Sequence, residues 1–298
     1  MIPIININEI PSLQPNFKIA DNYTSEVKTI LKQPLCIGNE EELLKLIFSL
    51  IDLTSLEGSD TSLKIEELCN KVLSIEAIGG LPNVAAICVF PTFAKLVSQK
   101  LNKTSINTAC VAGAFPSGQS PIEVKLKEVD WAIKEGATEI DMVISRGKLI
   151  DGNYQEVFDE IVAIKKCCGS KHLKVIIESG ELQTNKNIRV ASDLAMYAGA
   201  DFIKTSTGKI SEGATYNSVF VMLNAIKAFY SKTNIKIGMK PAGGISEIKT
   251  ASNYLRLVEQ IVGTEWINNQ LFRFGASSLA KEIANGLAGK TPELKNHF

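Results

Sequence analysis

Eight short β-prone runs, most of them followed by a helical pattern, recur between residues 50 and 278, and this alternation constrains the fold more than any other feature. The runs are LIDLT (50–54), VAAICVF (84–90), INTACVAGAF (106–115), EIDMVIS (139–145), LKVIIESG (173–180), ADFIKTS (200–206), IKIGMKPAGG (235–244) and FRFGASS (272–278). Between the third and fourth, SPIEVKLKEVDWAIKEGA reads as a helix with a capping box from Ser120 to Glu123 and Pro121 at its first position. It places Ile122, Leu126, Val129 and Ile133 on one face and stops at Gly136. Val157, Ile161, Ile164 and Cys168 form such a face in the next helix, and Val219, Met222, Ile226 and Phe229 in a later one. Eight units in roughly 250 residues match the count and size of a (β/α)8 TIM barrel. An open doubly wound sheet would carry a glycine-rich nucleotide turn after its first strand, and IDLTSLEG is not one. The expected fold is therefore α/β, with the barrel domain spanning 39–298. Residues 1–38, polar and punctuated by Asn and Pro, read as an N-terminal extension outside the core and able to move. An extra N-terminal helix opens at Asn39, with acidic residues in its first turn where the helix dipole favours them.

Charge and cysteine usage narrow the function classes. Lys and Arg number 32, as do Asp and Glu, so nothing in the balance favours nucleic acid or an anionic membrane. No apolar run approaches the roughly 18 residues a membrane helix needs, and the N-terminus lacks a secretory pattern, so a cytoplasmic protein is expected. Six cysteines without a C-x-x-C pair, and two distant histidines, assemble no recognisable metal site. No metal or cofactor is expected.

Strand parity gathers charge inside the barrel. Apolar residues facing the helices alternate with residues facing inward. With Ile51, Leu53, Ile140, Met142, Val175, Ile177, Ile203, Ile237 and Met239 outward, the inward set includes Asp52, Thr54, Cys88, Asp141, Lys174, Glu178, Phe202, Lys204, Lys236 and Lys240. Most of the charged residues among them lie toward the C-terminal strand ends, where barrel enzymes build their sites. So many charges converging from several strands would cost too much desolvation as packing alone.

A lysine with a lowered pKa is a nucleophile toward carbonyls. An ordinary lysine, pKa about 10.4, is neutral at pH 7 only about once in a few thousand molecules, and lowering its pKa by about three units gains nearly a thousandfold. Lys204 and Lys240, on adjacent strands, fit that demand if the second ammonium repels the first. Asp141 can balance the pair and handle protons. At the rim, KPAGG (240–244) and GASS (275–278) follow strands seven and eight, where barrels commonly hold phosphate on backbone N–H groups. Gly243, Gly244, Ser277 and Ser278 are the expected donors, with Lys209 as the approaching charge.

IDLTSL, EIDMVIS, KVIIESGEL, GADFIKTSTGK, KIGMKPAGG and FRFGASSL together resemble the deoxyribose-phosphate aldolase family over about residues 48–284. The resemblance implies reversible cleavage of 2-deoxy-D-ribose 5-phosphate to D-glyceraldehyde 3-phosphate and acetaldehyde, without a cofactor. It implies Lys204 as the Schiff-base lysine, Lys240 as the lysine that lowers its pKa, and Asp141 as the carboxylate of the proton relay. Thr207, Gly208, Lys209, Gly243, Gly244, Ser277 and Ser278 match phosphate-side positions. Cys88 matches a pocket cysteine, and Asp52 and Thr54 match polar groups lining the pocket floor; Lys174 is placed with this substrate-binding set. The expected partners are a sugar phosphate and aldehydes, with a homo-oligomer left open. Three departures stand out. Ser246 occupies a place where many members have arginine, Phe298 ends the chain where some bacterial members have tyrosine, and ACVAGAFPSGQS with the long N-terminal segment is closer to the animal-type branch. Another lysine-dependent barrel aldolase and a non-catalytic sugar-phosphate-binding barrel are the alternatives.

Overall fold

The computed structural model describes residues 6–78, 80–288, 291–295 and 297–298. Its strands are β1 (Ile51–Thr54), β2 (Ala86–Val89), β3 (Asn107–Ala112), β4 (Glu139–Val143), β5 (His172–Ile176), β6 (Phe202–Lys204), β7 (Gly238–Lys240) and β8 (Phe274–Ala276). The helices, in chain order, are α1 (Thr24–Leu31), α2 (Glu40–Ser49), α3 (Ser62–Ile78), α4 (Ala94–Leu101), α5 (Ile122–Lys134) and α6 (Arg146–Ile150). They continue with α7 (Tyr154–Cys168), α8 (Asn185–Tyr197), α9 (Tyr216–Thr233), α10 (Ile248–Ile261) and α11 (Leu279–Leu287).

All eight strands are parallel and ordered β7-β6-β5-β4-β3-β2-β1-β8. Single bridges from Met239 to Phe272 and from Ala242 to Gly275 then bring β7 beside the β8 segment, so the sheet nearly closes on itself. β7 is short because Pro241 has no N–H to continue it, and Gly243 and Gly244 turn at positive φ just beyond. Outward strand residues such as Ile51, Ile140, Val175, Ile203 and Met239 are fully buried beneath the helices, where the apolar core lies.

The helical faces read from sequence are buried in α7 and α9: Val157, Ile161, Ile164 and Cys168 in the first, Val219, Met222, Ile226 and Phe229 in the second. In α5 the expectation is corrected. Pro121, with ψ 148, is itself the cap, no side chain bonds the first turn, and the Ser120–Glu123 capping box does not form. The buried stripe is Lys125, Val129 and Ala132, with Ile122, Leu126 and Ile133 on its flanks. Lys125 tolerates burial because its amine donates to Ser145 Oγ at 3.0 Å and pairs with Glu160. The helix at Asn39 carries a full capping box, Asn39 with Glu42, each accepting from the other's backbone N–H at 3.1 Å.

Residues 6–38 run along the outer faces of α8, α9 and α10. Ile10 is fully buried, the Tyr23 ring lies 4.8 Å from Phe220, and Arg256 donates to the Gln33 carbonyl at 3.0 Å. The C-terminal residues also lie outside the barrel. His297 Nε2 sits 2.8 Å from the Lys71 carbonyl on α3, and the Phe298 ring packs 5.8 Å from Phe48 of α2. Among the described residues, no helix is long and apolar enough to cross a membrane.

Candidate active site

Two layers of charge fill the upper barrel. β6 and β7 pair in register with Lys204 opposite Lys240, and β4 and β5 pair with Asp141 opposite Lys174. Asp141 is the hub: Oδ2 accepts from Lys204 Nζ at 2.8 Å and from Lys240 Nζ at 2.7 Å, and Oδ1 accepts from Lys174 at 3.0 Å. Lys240 also donates to Asp52 Oδ2 at 2.5 Å. Beneath them, Arg273 bridges Asp52 Oδ1 at 2.6 Å and Glu139 Oε1 at 2.9 Å, and Lys174 bonds Glu139. All seven side chains are essentially excluded from water.

The electrostatics separate the two central lysines. Burial lowers the pKa of Lys204; Asp141 pushes it back up, the Lys240 ammonium adds to the depression, and the net is below the ordinary lysine value. Burial is thus the larger cause, with repulsion from Lys240 assisting it. Lys240 moves the other way: burial lowers it, but Asp141 and Asp52 outweigh burial and hold it charged. For Asp141 burial raises the pKa, yet Lys174, Lys204 and Lys240 together hold the carboxyl well below its ordinary range. The site therefore contains an amine with a lowered pKa, an ammonium held charged and a carboxylate on one hydrogen-bonded path.

Above this layer opens a cavity of about 460 Å³ whose wall includes Lys204, Thr54, Thr207, Gly208 and Lys209, the loop 242–246, and Gly275 to Ser278. Gly243 cannot be replaced without strain: φ is +84 and a Cβ would stand 2.9 Å from Gly213 Cα. Thr205 Oγ1 accepts from Ala242 N–H at 2.9 Å and ties the loop after β6 to the loop after β7. Ser277 and Ser278, exposed just ahead of α11, line the same space. Lys209 pairs with the exposed Glu57 at 3.0 Å, and Lys64, on the first turn of α3, adds a second cation to the wall.

Three residues expected around the substrate lie beneath the floor. Asp52, Cys88 and Lys174 are fully buried and do not face the cavity. Asp52 and Lys174 are held down by their ion pairs, and Cys88 packs among Leu56, Ala86, Ala109 and Val111, with burial raising its thiol pKa. Lys236, expected inside, precedes β7 and lies on the outer base with its amine 4.7 Å from the Trp266 ring centroid. Glu178 sits at φ +53 beyond β5 and accepts from Thr207 N–H at 3.2 Å and from the Thr207 hydroxyl, bracing the loop after β6. Sequence parity missed Glu139 and Arg273, though both obey it: Glu139 is two residues before Asp141, and Arg273 lies between outward Phe272 and Phe274. Lys64 carried no signal in the sequence.

A parallel barrel with a lysine amine of lowered pKa in the wall of a glycine- and serine-rimmed cavity has the parts that an aldolase on the (β/α)8 scaffold needs. Residues 46–278 match the DeoC/LacD family aldolase, and the chain belongs to that family. It is 43% identical over 252 residues to the deoxyribose-phosphate aldolase of Homo sapiens, covering 81% of this chain and 79% of the human one. The Mus musculus protein of the same name is 42% identical over 252 residues, with 81% and 79% covered. Among solved structures, the tetrameric deoxyribose phosphate aldolase from Aeropyrum pernix superposes with a TM-score of 0.67 at 27% identity, covering 87% of this chain and 97% of that one.

Proposed function

We propose that this chain reversibly cleaves 2-deoxy-D-ribose 5-phosphate to D-glyceraldehyde 3-phosphate and acetaldehyde through a Schiff base on Lys204. One observation carries the assignment: Lys204 combines a depressed amine with a place in the cavity wall. The Lys204 nitrogen adds to C1 of the open-chain aldehyde, giving a carbinolamine, which loses water to become an iminium. The C2–C3 bond then breaks as the C3 hydroxyl loses its proton. Its electron pair moves into the iminium, leaving an enamine on Lys204 and releasing glyceraldehyde 3-phosphate. Protonation at C2 and hydrolysis release acetaldehyde and restore the amine. Asp141 Oδ2, bonded to both amines, is the bridge for protons, and Lys240, held charged, is their source. Lys64, Lys209, the N–H groups of 243–244 and the α11 terminus receive the phosphate, with Ser246 leaving the charge to the two lysines.

Borohydride reduction in the presence of acetaldehyde, followed by peptide mapping, tests the mechanism, and product analysis with the sugar phosphate tests the substrate. A label on Lys204 and formation of both aldehydes are expected. A label elsewhere, or cleavage indifferent to the phosphate, would overturn the corresponding half of the assignment.

A further inference from the structure

The opposite end of the barrel carries a second cavity, of about 970 Å³, around the first residues of β5 and β6 and the approach to β7. It lies within the size range of sites for small organic ligands. Its walls are largely apolar, with Val162, Ile235 and Leu271 among the lining residues beside the half-buried His172 and the buried Tyr197 and Phe202. Gly238, having no side chain, makes room for the Phe202 ring: a Cβ there would stand 2.3 Å from it.

The rim is electrically lopsided. Three lysines, Lys165, Lys166 and Lys236, face a single carboxylate, Asp201. Lys165 and Asp201 neutralise each other at 2.5 Å, and Asp201 also accepts from the Leu173 N–H at 2.7 Å. Lys166 and Lys236 remain, and among the described residues neither has a carboxylate within ion-pair distance. Lys236 instead lies over the Trp266 and Tyr230 rings, which hold its stem at the rim while leaving its charge available. An apolar cavity with two uncompensated ammonium groups at its mouth complements an anion whose charge sits at one end of a flat apolar body.

We propose that this base cavity is a binding site for a small aromatic carboxylate, separate from the aldolase centre, with the flat apolar body against the cavity wall and the carboxylate at Lys166 and Lys236. The Phe202 ring also lies 5.7 Å from the Arg273 guanidinium, a member of the charge layer beneath the aldolase cavity.

Calorimetric titration with 2-naphthoate tests the proposal, using 2-naphthalenemethanol as the uncharged control. One saturable site per chain is expected, not displaced by 2-deoxyribose 5-phosphate, with the alcohol binding at least tenfold more weakly. The Lys166→Glu/Lys236→Glu double variant, altered only at exposed side chains, should bind naphthoate at least tenfold more weakly while still being trapped by borohydride with acetaldehyde at Lys204. Ala198→Trp, which fills the cavity, should abolish binding while leaving borohydride trapping at Lys204 intact; if that variant does not fold, the double variant decides. Unchanged affinity in the double variant, equal binding of the alcohol, displacement by the sugar phosphate, or no saturable binding would each overturn the assignment.

Discussion

Replacing Lys240 by methionine removes the charge beside the proposed nucleophile while keeping an unbranched stem in the barrel. Both amines bond the same Asp141 oxygen, at 2.8 and 2.7 Å, so they lie no more than about 5.5 Å apart. At that separation and an effective dielectric of about 20, two unit charges repel by about 3 kcal/mol, roughly a hundredfold in the balance between charged and neutral amine. Lys240→Met should therefore raise the pKa of Lys204, and the neutral amine should become abundant only at higher pH. The assay is the rate of borohydride trapping of acetaldehyde against pH, normalised to each protein's alkaline plateau so that lost proton transfer does not enter. The variant's profile should move to higher pH, with its relative rate near neutrality falling about a hundredfold. Burial acts on Lys204 in both proteins and cannot produce the difference. A profile that superimposes on the parent, or moves to lower pH, would refute the role given to the Lys240 charge.

Three further outcomes follow from the same geometry. Lys64→Ala should raise KM for 2-deoxyribose 5-phosphate by about three- to tenfold and leave KM for unphosphorylated 2-deoxyribose unchanged, the two being compared in steady-state kinetics. Arg273→Met strips a buried partner from Asp52 and Glu139 and should cost about 3–5 kcal/mol in urea unfolding; a loss under about 1 kcal/mol would mean the pairs are not closed in solution. For Glu139, burial raises the pKa but Lys174, His172 and Arg273 outweigh it and bring it from 4.5 down to about 2. Its folded pKa lies below the unfolded one, so its contribution, on the order of a few kcal/mol, is present above about pH 4.5 and lost as the pH falls toward about 2. Unfolding free energies measured between pH 5 and 3 should fall less steeply in Glu139→Gln than in the parent.

What the sequence made legible depended on whether a residue's neighbours in the chain define its environment. Alternation inside EIDMVIS and KIGMKPAGG is a local property, so the strands, the inward Asp141 and the pairing of Lys204 with Lys240 could all be read from it. The height of a residue in the barrel is not local. Asp52 and Lys174 have the right parity yet sit one layer below the cavity, because strand tilt and stagger decide which inward residue meets the mouth. Lys236 fails for a related reason: it precedes its strand's first ladder residue, and the aromatic rings of Trp266 and Tyr230 offer it a place at the surface. On α5, apolar periodicity picked Ile122, Leu126 and Ile133, whereas the core-facing stripe includes Lys125, whose partners Ser145 and Glu160 lie on a different strand-end and helix. Lys64 enters the cavity wall only because the loop after β1 returns over the mouth.

The ion pairs beneath the cavity have an arithmetic consequence for the reaction. Asp52, Glu139 and Asp141 face Lys174, Lys240 and Arg273, three negative charges against three positive, all cut off from water. With Lys204 as a free amine this layer is electroneutral. In the proposed cycle the iminium is the one intermediate that leaves this interior with a surplus positive charge, in a region where surplus charge is most costly. Breaking C2–C3 delivers an electron pair to that nitrogen and returns the interior to balance as the enamine. In that cycle the balanced layer favours the step that returns an electron pair to the nitrogen, and a charge added to or deleted from it should change the driving force for carbon–carbon cleavage without touching the substrate.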